Sequence, residues 1–396
     1  MKGKLTVLMI TAFVDMVGLT MIIPILPLYA TRLGASATIV GVLIAAFSVA
    51  QLASAPLWGR VSDRYGRRPA LIAGLLISAV AYVVFAFAST IWLLLLSRVV
   101  QGFGGGTIGV VQAYVADASD PQNRAKSLGW LSAATSLGAV AGPAIGSAVV
   151  RWGWAAPGLA AAVSCVLISL FAAAYLKESR QDVVSSEHAV ANQTGFSAVW
   201  SVITRPREPA QRLIWIYTIA IGAFYGTIPI VPLILLNRLS INQTNVGYLF
   251  MYLGGMGVFV RAGLLGRMIA WLGEARLTRL GLVLLGAGLA LIAAVHSYWL
   301  LLVSLTLMPL GTAFVFPCVT ATLSRVVSSR HRGLYMGVQH TFGGLSRVAF
   351  PLLAGLTMDH IGLGFPFVVA GALVIAVIPL TLSMEHYGAV RATSMT

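Results

Sequence analysis

"GRVSDRYGRRPA", residues 59–70, lies between two long apolar runs and carries Arg60, Asp63, Arg64, Arg67 and Arg68, in a chain of which only 9% is Asp, Glu, Lys or Arg. An apolar segment of about 20 residues crosses a bilayer as a helix, so a charge cluster bounded by two such runs marks the turn between two membrane helices. The remaining sequence agrees. Of 396 residues 58% are hydrophobic and the mean hydropathy is +0.90, whereas a soluble domain is about 45–50% apolar and about 25% charged. The runs lack the alternation of a barrel strand, which selects helices.

Reading outward, apolar runs separated by charged or Gly/Pro breaks predict twelve helices, near 5–30, 37–58, 69–89, 91–116, 126–150, 154–176, 212–236, 245–269, 276–296, 298–323, 332–356 and 362–383. An even number puts both termini on one side. Lys2, Lys4 and the basic residues at 60, 64, 67, 68, 124, 126, 177, 180, 205, 207, 212, 267, 276, 279, 325, 330, 332 and 391 fall in one set of breaks, and the opposite set holds only Arg32, Arg151 and Arg238. This bias places the termini in the cytoplasm of a cell-membrane protein. It also accounts for the net charge of +15 without nucleic acid. The N-terminal run resembles a secretory signal but continues apolar past a usual h-region, and is read as the first span. Cys165 and Cys318 both lie inside apolar runs, so neither a disulfide framework nor a metal site is expected.

The break from Lys177 to Gln211 is the longest and reads as a linker, giving bundles at 1–176 and 212–396 on either side of a cytoplasmic segment at 177–211. The two parts resemble each other. "IPILPL" at 23–28 returns as "IPIVPL" at 228–233, an offset of 205. "RAKSLG" at 124 returns as "RGLYMG" at 332 and Pro143 as Pro351, both at 208, while Gly59 and Gly66 match Gly266 and Gly273 at 207. A six-helix unit duplicated in parallel is the arrangement in which a substrate site lies near the midplane between halves that rock.

Twelve helices, the linker and the 59–68 loop together resemble the major facilitator superfamily across essentially the whole chain. "GRVSDRYGRR" is similar to its signature between helices 2 and 3, and "GRMIAWLGEAR" at 266–276 is a degenerate second copy with Ala270 in place of Asp63. "SRVVQGFGGG" (97–106) resembles the helix 4 signature, and "GAVAGPAIGS" (138–147), with Gly138, Gly142, Pro143 and Gly146, the helix 5 signature of exporters. "DMVGLTMIIPILPLY" (15–29) resembles helix 1 of drug:proton antiporters, tetracycline exporters in particular. The resemblance implies an all-α fold of two pseudo-symmetric six-helix bundles. It also implies that Asp63 faces the start of helix 11, near Arg332, and that Arg67 reaches Asp117.

The residues carry their own physical reading. Gly59 permits close helix approach and Gly66 a turn that a side chain would obstruct, while Asp63 suits the N–H groups at a neighbouring helix N-terminus. Topogenic charge alone explains Arg60, Arg64 and Arg68. Together, Gly59, Asp63, Gly66, Arg67, Arg68 and Asp117 are expected to form a cytoplasmic gate. Asp15 is the acid well inside a predicted span, roughly 15 Å deep by helix rise. An acid there costs about 2.5–3.5 kcal/mol, and a carboxyl that alternates between dry and wet surroundings can take up and release a proton. A structural polar contact is the alternative. Arg98, roughly 10 Å into the fourth span, is a candidate partner in proton coupling or a packing residue held by backbone. The glycines at 138, 142 and 146 stand four apart on one helix face and allow close backbone contact.

Gln51, Gln112, Phe224, Tyr225, Tyr248, Tyr252, Gln339, His340 and Arg347 are candidate cavity residues, each with ordinary packing as its alternative. Arg261 can snorkel to the cytoplasmic surface. Arg347 is too deep for that and is expected to face a wet cavity or an anion. Tetracycline antiporters carry further acids in helices 3 and 9, and here Ala81 and the run from Gly281 to His296 offer none, which favours neutral, zwitterionic or anionic amphipathic compounds. The expected function is a proton-coupled exporter of such compounds, with protons, a small-molecule substrate and the lipid bilayer as partners. A monomer without cofactor or metal is expected. A transporter of an endogenous metabolite, sugar or lipid is the alternative; no HExxH, GxSxG or phosphate-binding loop supports an enzyme.

Overall fold

The computed structural model describes residues 2–120, 122–176, 178, 197–328, 331–382 and 384–385; Lys177 and residues 179–196 of the expected linker lie outside the described residues. Among the described residues every regular element is helical. The spans are α1 (Leu5–Arg32), α2 (Ala37–Tyr65), α3 (Arg67–Ala86), α4 (Ile91–Asp117), α5 (Arg124–Trp152), α6 (Ala156–Tyr175) and α7 (Pro209–Leu239). A continuous run, Val246–Ala293, divides at Gly273 into α8 and α9. α10 (Tyr298–Val326), α11 (Arg332–His360) and α12 (Phe365–Thr381) complete twelve. A short helix over 197–204 precedes α7 inside the expected linker.

The breaks follow backbone chemistry. α1 is interrupted between Ile22 and Leu26, at the first copy of the IPI-PL sequence, and α7 tightens into a 3-10 turn at Ile228–Ile230, at the second. Gly66, with φ 106°, and Gly273, with φ 74°, occupy the left-handed region that glycine enters without a Cβ clash. They turn the chain from α2 to α3 and from α8 to α9. α4 starts with Thr90 accepting the Leu93 N–H, and α10 with Ser297 accepting the Leu300 N–H, both at 3.3 Å. Beside these caps, Trp92 and Trp299 are exposed, as interfacial tryptophans are. The repeat thus extends to caps and belt residues.

Two compact units are present, Met1–Asp182 with Pro232–Gly254, and Val183–Val231 with Gly255–Thr396. In the first, α5 lies against α1 through its small residues. A Cβ on Gly138, Gly142 or Gly146 would collide with the backbone oxygens of Phe13, Val17 and Met21 respectively. Pro143 faces the other way, and its carbonyl fills the space beside Gly247. Ser147 Oγ accepts the Gly247 N–H at 2.8 Å and donates to the Gln243 carbonyl at 2.7 Å. In the second unit the small residues sit on α7 instead, where Gly222 and Gly226 receive Phe350 of α11. Lipid tails are as apolar as leucine, so such contacts rest on close packing and hydrogen bonds rather than on the hydrophobic effect.

Gly146→Ala is expected to destabilise the protein by about 1–3 kcal/mol through overpacking against Met21. Gly129→Ala, on the same helix with open space at its Cβ position, is expected to be neutral or stabilising. Unfolding of both variants in detergent checks the contrast.

Candidate functional site

The 59–68 loop closes on a network that ties three helices and the end of a fourth. Arg67 donates from Nε to Asp117 Oδ2 at 3.1 Å, and from Nη1 to Asp63 Oδ1 at 2.7 Å and Ser62 Oγ at 2.9 Å. Glu178, just beyond α6, accepts the backbone N–H groups of Arg67 and Arg68 at 2.8 and 3.2 Å. Those N–H groups open α3 and would otherwise lack an acceptor, and the helix dipole favours a carboxylate there. Gly66 makes the arrangement possible, since a Cβ would occupy the space of the Glu178 carboxylate. Arg68 Nη2 donates to the Ala173 carbonyl of α6. Gly59, by contrast, has open space where a Cβ would sit, so no close helix approach depends on it.

The second unit repeats this construction with the charges exchanged. Glu274 stands at the position of Arg67, offset 207, and Arg325 at that of Asp117, offset 208, and the two form an ion pair. Thr322 Oγ1 donates to Glu274 Oε2 at 2.9 Å. Glu385 matches Glu178 at offset 207 and accepts from Arg279. Arg124 Nε binds the Ala116 carbonyl at 3.2 Å and Arg332 Nε the Ser324 carbonyl at 2.8 Å, again 208 residues apart. A copy that is degenerate by residue identity therefore preserves the attraction.

Asp15 lines a cavity of about 630 Å³ within the first unit, together with Gln112 of α4 and Ser132 and Thr135 of α5. No hydrogen bond or ion pair engages its carboxylate among the described residues. Arg98 is 3% exposed and sealed elsewhere, its guanidinium 5.2 Å from the Phe85 ring and its Nη2 without a partner. No bond joins Asp15 to Arg98. Tyr82 of α3 lies in electrostatic range of both; its hydroxyl accepts from Gln101 Nε2 at 2.8 Å, and its ring packs against Gly18, one turn from Asp15. Tyr82 carried no signal by residue type, whereas Gln101 belongs to the 97–106 stretch that resembles the helix 4 signature. The i, i+3 spacing of Arg98 and Gln101 on one helix face was a further clue.

The remaining cavity candidates separate. Gln51 donates to the Gly105 carbonyl at 3.3 Å, and Trp58 Nε1 to the Phe103 carbonyl at 2.7 Å, where α4 breaks and frees its backbone acceptors. Tyr248 and Tyr252 lie on the early turns of α8, in the first unit. In the second unit Phe224 and Gln339 are buried, Gln339 accepting from Thr320 at 3.4 Å. Arg347 lies 5.9 Å from the Tyr225 ring, and its Nε donates to the Gly343 carbonyl at 3.3 Å. His340 meets Tyr217 edge-on at 6.4 Å, and Phe316 packs against Tyr217 at 5.5 Å and stacks on Tyr225 at 6.4 Å. Tyr217 and Phe316 were absent from the sequence candidates; the i, i+8 spacing of Tyr217 and Tyr225 on α7 points to a shared face.

The sequence pattern that defines the Major Facilitator Superfamily matches residues 8–290 and again 262–390. Multidrug resistance protein 1 of Bacillus subtilis is 27% identical over 393 residues, covering 98% of each chain. The class B tetracycline resistance protein of Escherichia coli is 27% identical over 363 residues, 91% of this chain and 90% of the relative. Among solved structures, a point mutant of the nucleoside transporter NupG superimposes with a TM-score of 0.82 at 13% identity, over 96% of this chain and 99% of that one. The human organic anion transporter MFSD10 (TETRAN) superimposes with a TM-score of 0.67 at 24% identity, over the same shares. With twelve helices among the described residues, the chain belongs to the Major Facilitator Superfamily and is a multi-pass membrane transporter.

Proposed function

We propose that this transporter exports small amphipathic compounds in exchange for protons, by alternating access, in the cell membrane with both termini cytoplasmic. Asp15 carries the reading. Its position costs about 2.5–3.5 kcal/mol, and no ion pair or hydrogen bond among the described residues offsets that cost. A purely structural acid would leave the cost uncompensated. A carboxyl on a cavity, meeting water in one state and a drier environment in another, instead exchanges its proton between the two sides. Relatives named for multidrug and tetracycline resistance support export. The crowding of basic residues on one set of breaks supports the orientation.

The two loop networks serve as locks at the cytoplasmic helix ends. Arg67 holds α2 and α4 to the start of α3, and Glu274 holds the start of α9 to α10. An ion pair that carries this role needs complementary signs and not a given order of residues.

In proteoliposomes with an imposed pH gradient, efflux of one or more of a neutral, an anionic and a cationic fluorescent dye is expected to follow the gradient and to release protons. Asp15→Asn is expected to abolish gradient-driven efflux while dye binding persists. Wild-type flux indifferent to pH would overturn proton coupling and favour facilitated passage of an endogenous solute. For the locks, Glu274→Arg and Arg325→Glu are each expected to lower stability and efflux. The double variant is expected to recover, with a coupling of about 0.5–1 kcal/mol in a double-mutant cycle.

A further inference from the structure

Arg347 is the midpoint cation of α11, 15 residues from Arg332 and 13 from His360, hence about 20 Å from either end by helix rise. It is too deep to reach water along its own stem. Among the described residues its only hydrogen bond is the Nε contact to Gly343 of its own helix, and it forms no ion pair. The two Nη groups are left open, on the fork that matches a carboxylate in bidentate fashion.

The surroundings define what would fill that fork. Tyr225, 45% exposed, presents its ring to the guanidinium at 5.9 Å and stacks with Phe316 at an interplanar angle of 20°. Tyr217 and His340 extend the same wall, both in electrostatic range of Arg347. Every ring here belongs to the second unit. A second cation would be repelled by Arg347, and among the described residues no carboxylate pairs with Arg347 to receive one. An apolar neutral compound would leave the guanidinium unsatisfied in a membrane span, which costs several kcal/mol for a bare charge. A carboxylate on a flat aromatic body satisfies both parts, the fork and the ring wall.

We propose that Arg347, Tyr217, Tyr225 and Phe316 form the binding site for the carboxylate and ring of an amphipathic aromatic organic acid. The inference rests on the transport reading for its purpose, while its test is a binding measurement that needs no flux. Full-length protein in nanodiscs is titrated with 1-naphthoate and with 1-naphthamide, its neutral isostere, using octanoate as a ring-free carboxylate. Wild-type protein is expected to prefer naphthoate to both. Arg347→Gln is expected to weaken naphthoate by about 10–100-fold, the worth of a charged hydrogen-bonded pair, and to leave naphthamide within about twofold. Tyr225→Ala is expected to weaken naphthoate and naphthamide alike and to spare octanoate.

Equal wild-type affinity for naphthoate and naphthamide, or a naphthoate preference that survives Arg347→Gln in correctly folded protein, would overturn the site. Octanoate binding as tightly as naphthoate would overturn its aromatic part. If Arg347→Gln fails to fold, the wild-type preference and Arg347→Lys, which keeps the charge and loses the fork, decide instead: a reduced preference supports the site and an unchanged one overturns it. The readings separate cleanly. A naphthoate preference without dye flux keeps the site and removes the exporter, and flux without the preference does the reverse.

Discussion

Placing a charge in the middle of a bilayer costs about 2.5–3.5 kcal/mol on insertion scales, and that cost organises this molecule. Twenty-six basic and eleven acidic residues are almost all held at helix ends and turns, where water or a partner satisfies them. Three charged residues lie well inside the spans and a fourth, Arg261, within snorkelling reach of the cytoplasmic surface, and the protein treats each differently. Arg98 is walled in by Phe85, Asp15 lines a cavity and Arg347 lies beside an aromatic face. Arg261 falls in the one π-helical segment among the described residues, Val260–Leu264. The chemistry of transport is read from these departures because the apolar remainder has no comparable reason to bear such a cost.

At the helix ends the same constraint takes a different form. Two glycines with positive φ make the turns, and an ion pair beside each fixes the helices that meet there. In the first unit the base is on the loop and the acid on α4; in the second the acid is on the loop and the base on α10. Duplication has preserved geometry and sign complementarity while the residues themselves changed. Matched caps at Thr90 and Ser297 show the same preservation on helices that carry no charged lock at those ends.

Much of this was legible in the sequence because hydropathy and backbone chemistry act locally. Spans are set by runs of apolar residues, turns by Gly66 and its neighbours, and the duplication by near-constant offsets. The charged break at 269–276 predicts a gap between α8 and α9, yet the helical run is continuous apart from Gly273, since no stretch of loop residues is needed where one glycine turns the chain. Glu178 is invisible as a cap in the sequence because its partners lie 111 and 110 residues earlier, and no period relates them. Gln51 reads as a cavity candidate or a packing residue; the break in α4 supplies a carbonyl that engages its Nε2, a contact the sequence does not reveal. Tyr82, Tyr217 and Phe316 read as ordinary core aromatics, and their neighbours give them meaning only in three dimensions.

The central claim is that one intramembrane carboxyl changes its protonation as the transporter engages its cargo. Infrared difference spectroscopy on the purified protein, recorded as a transported dye is added at fixed pH, observes the carboxyl C=O stretch directly. Loss of a protonated-carboxyl band on dye binding, absent from the Asp15→Asn variant, is the predicted result. A band that ignores the dye, or a dye-dependent change that persists without Asp15, would contradict it.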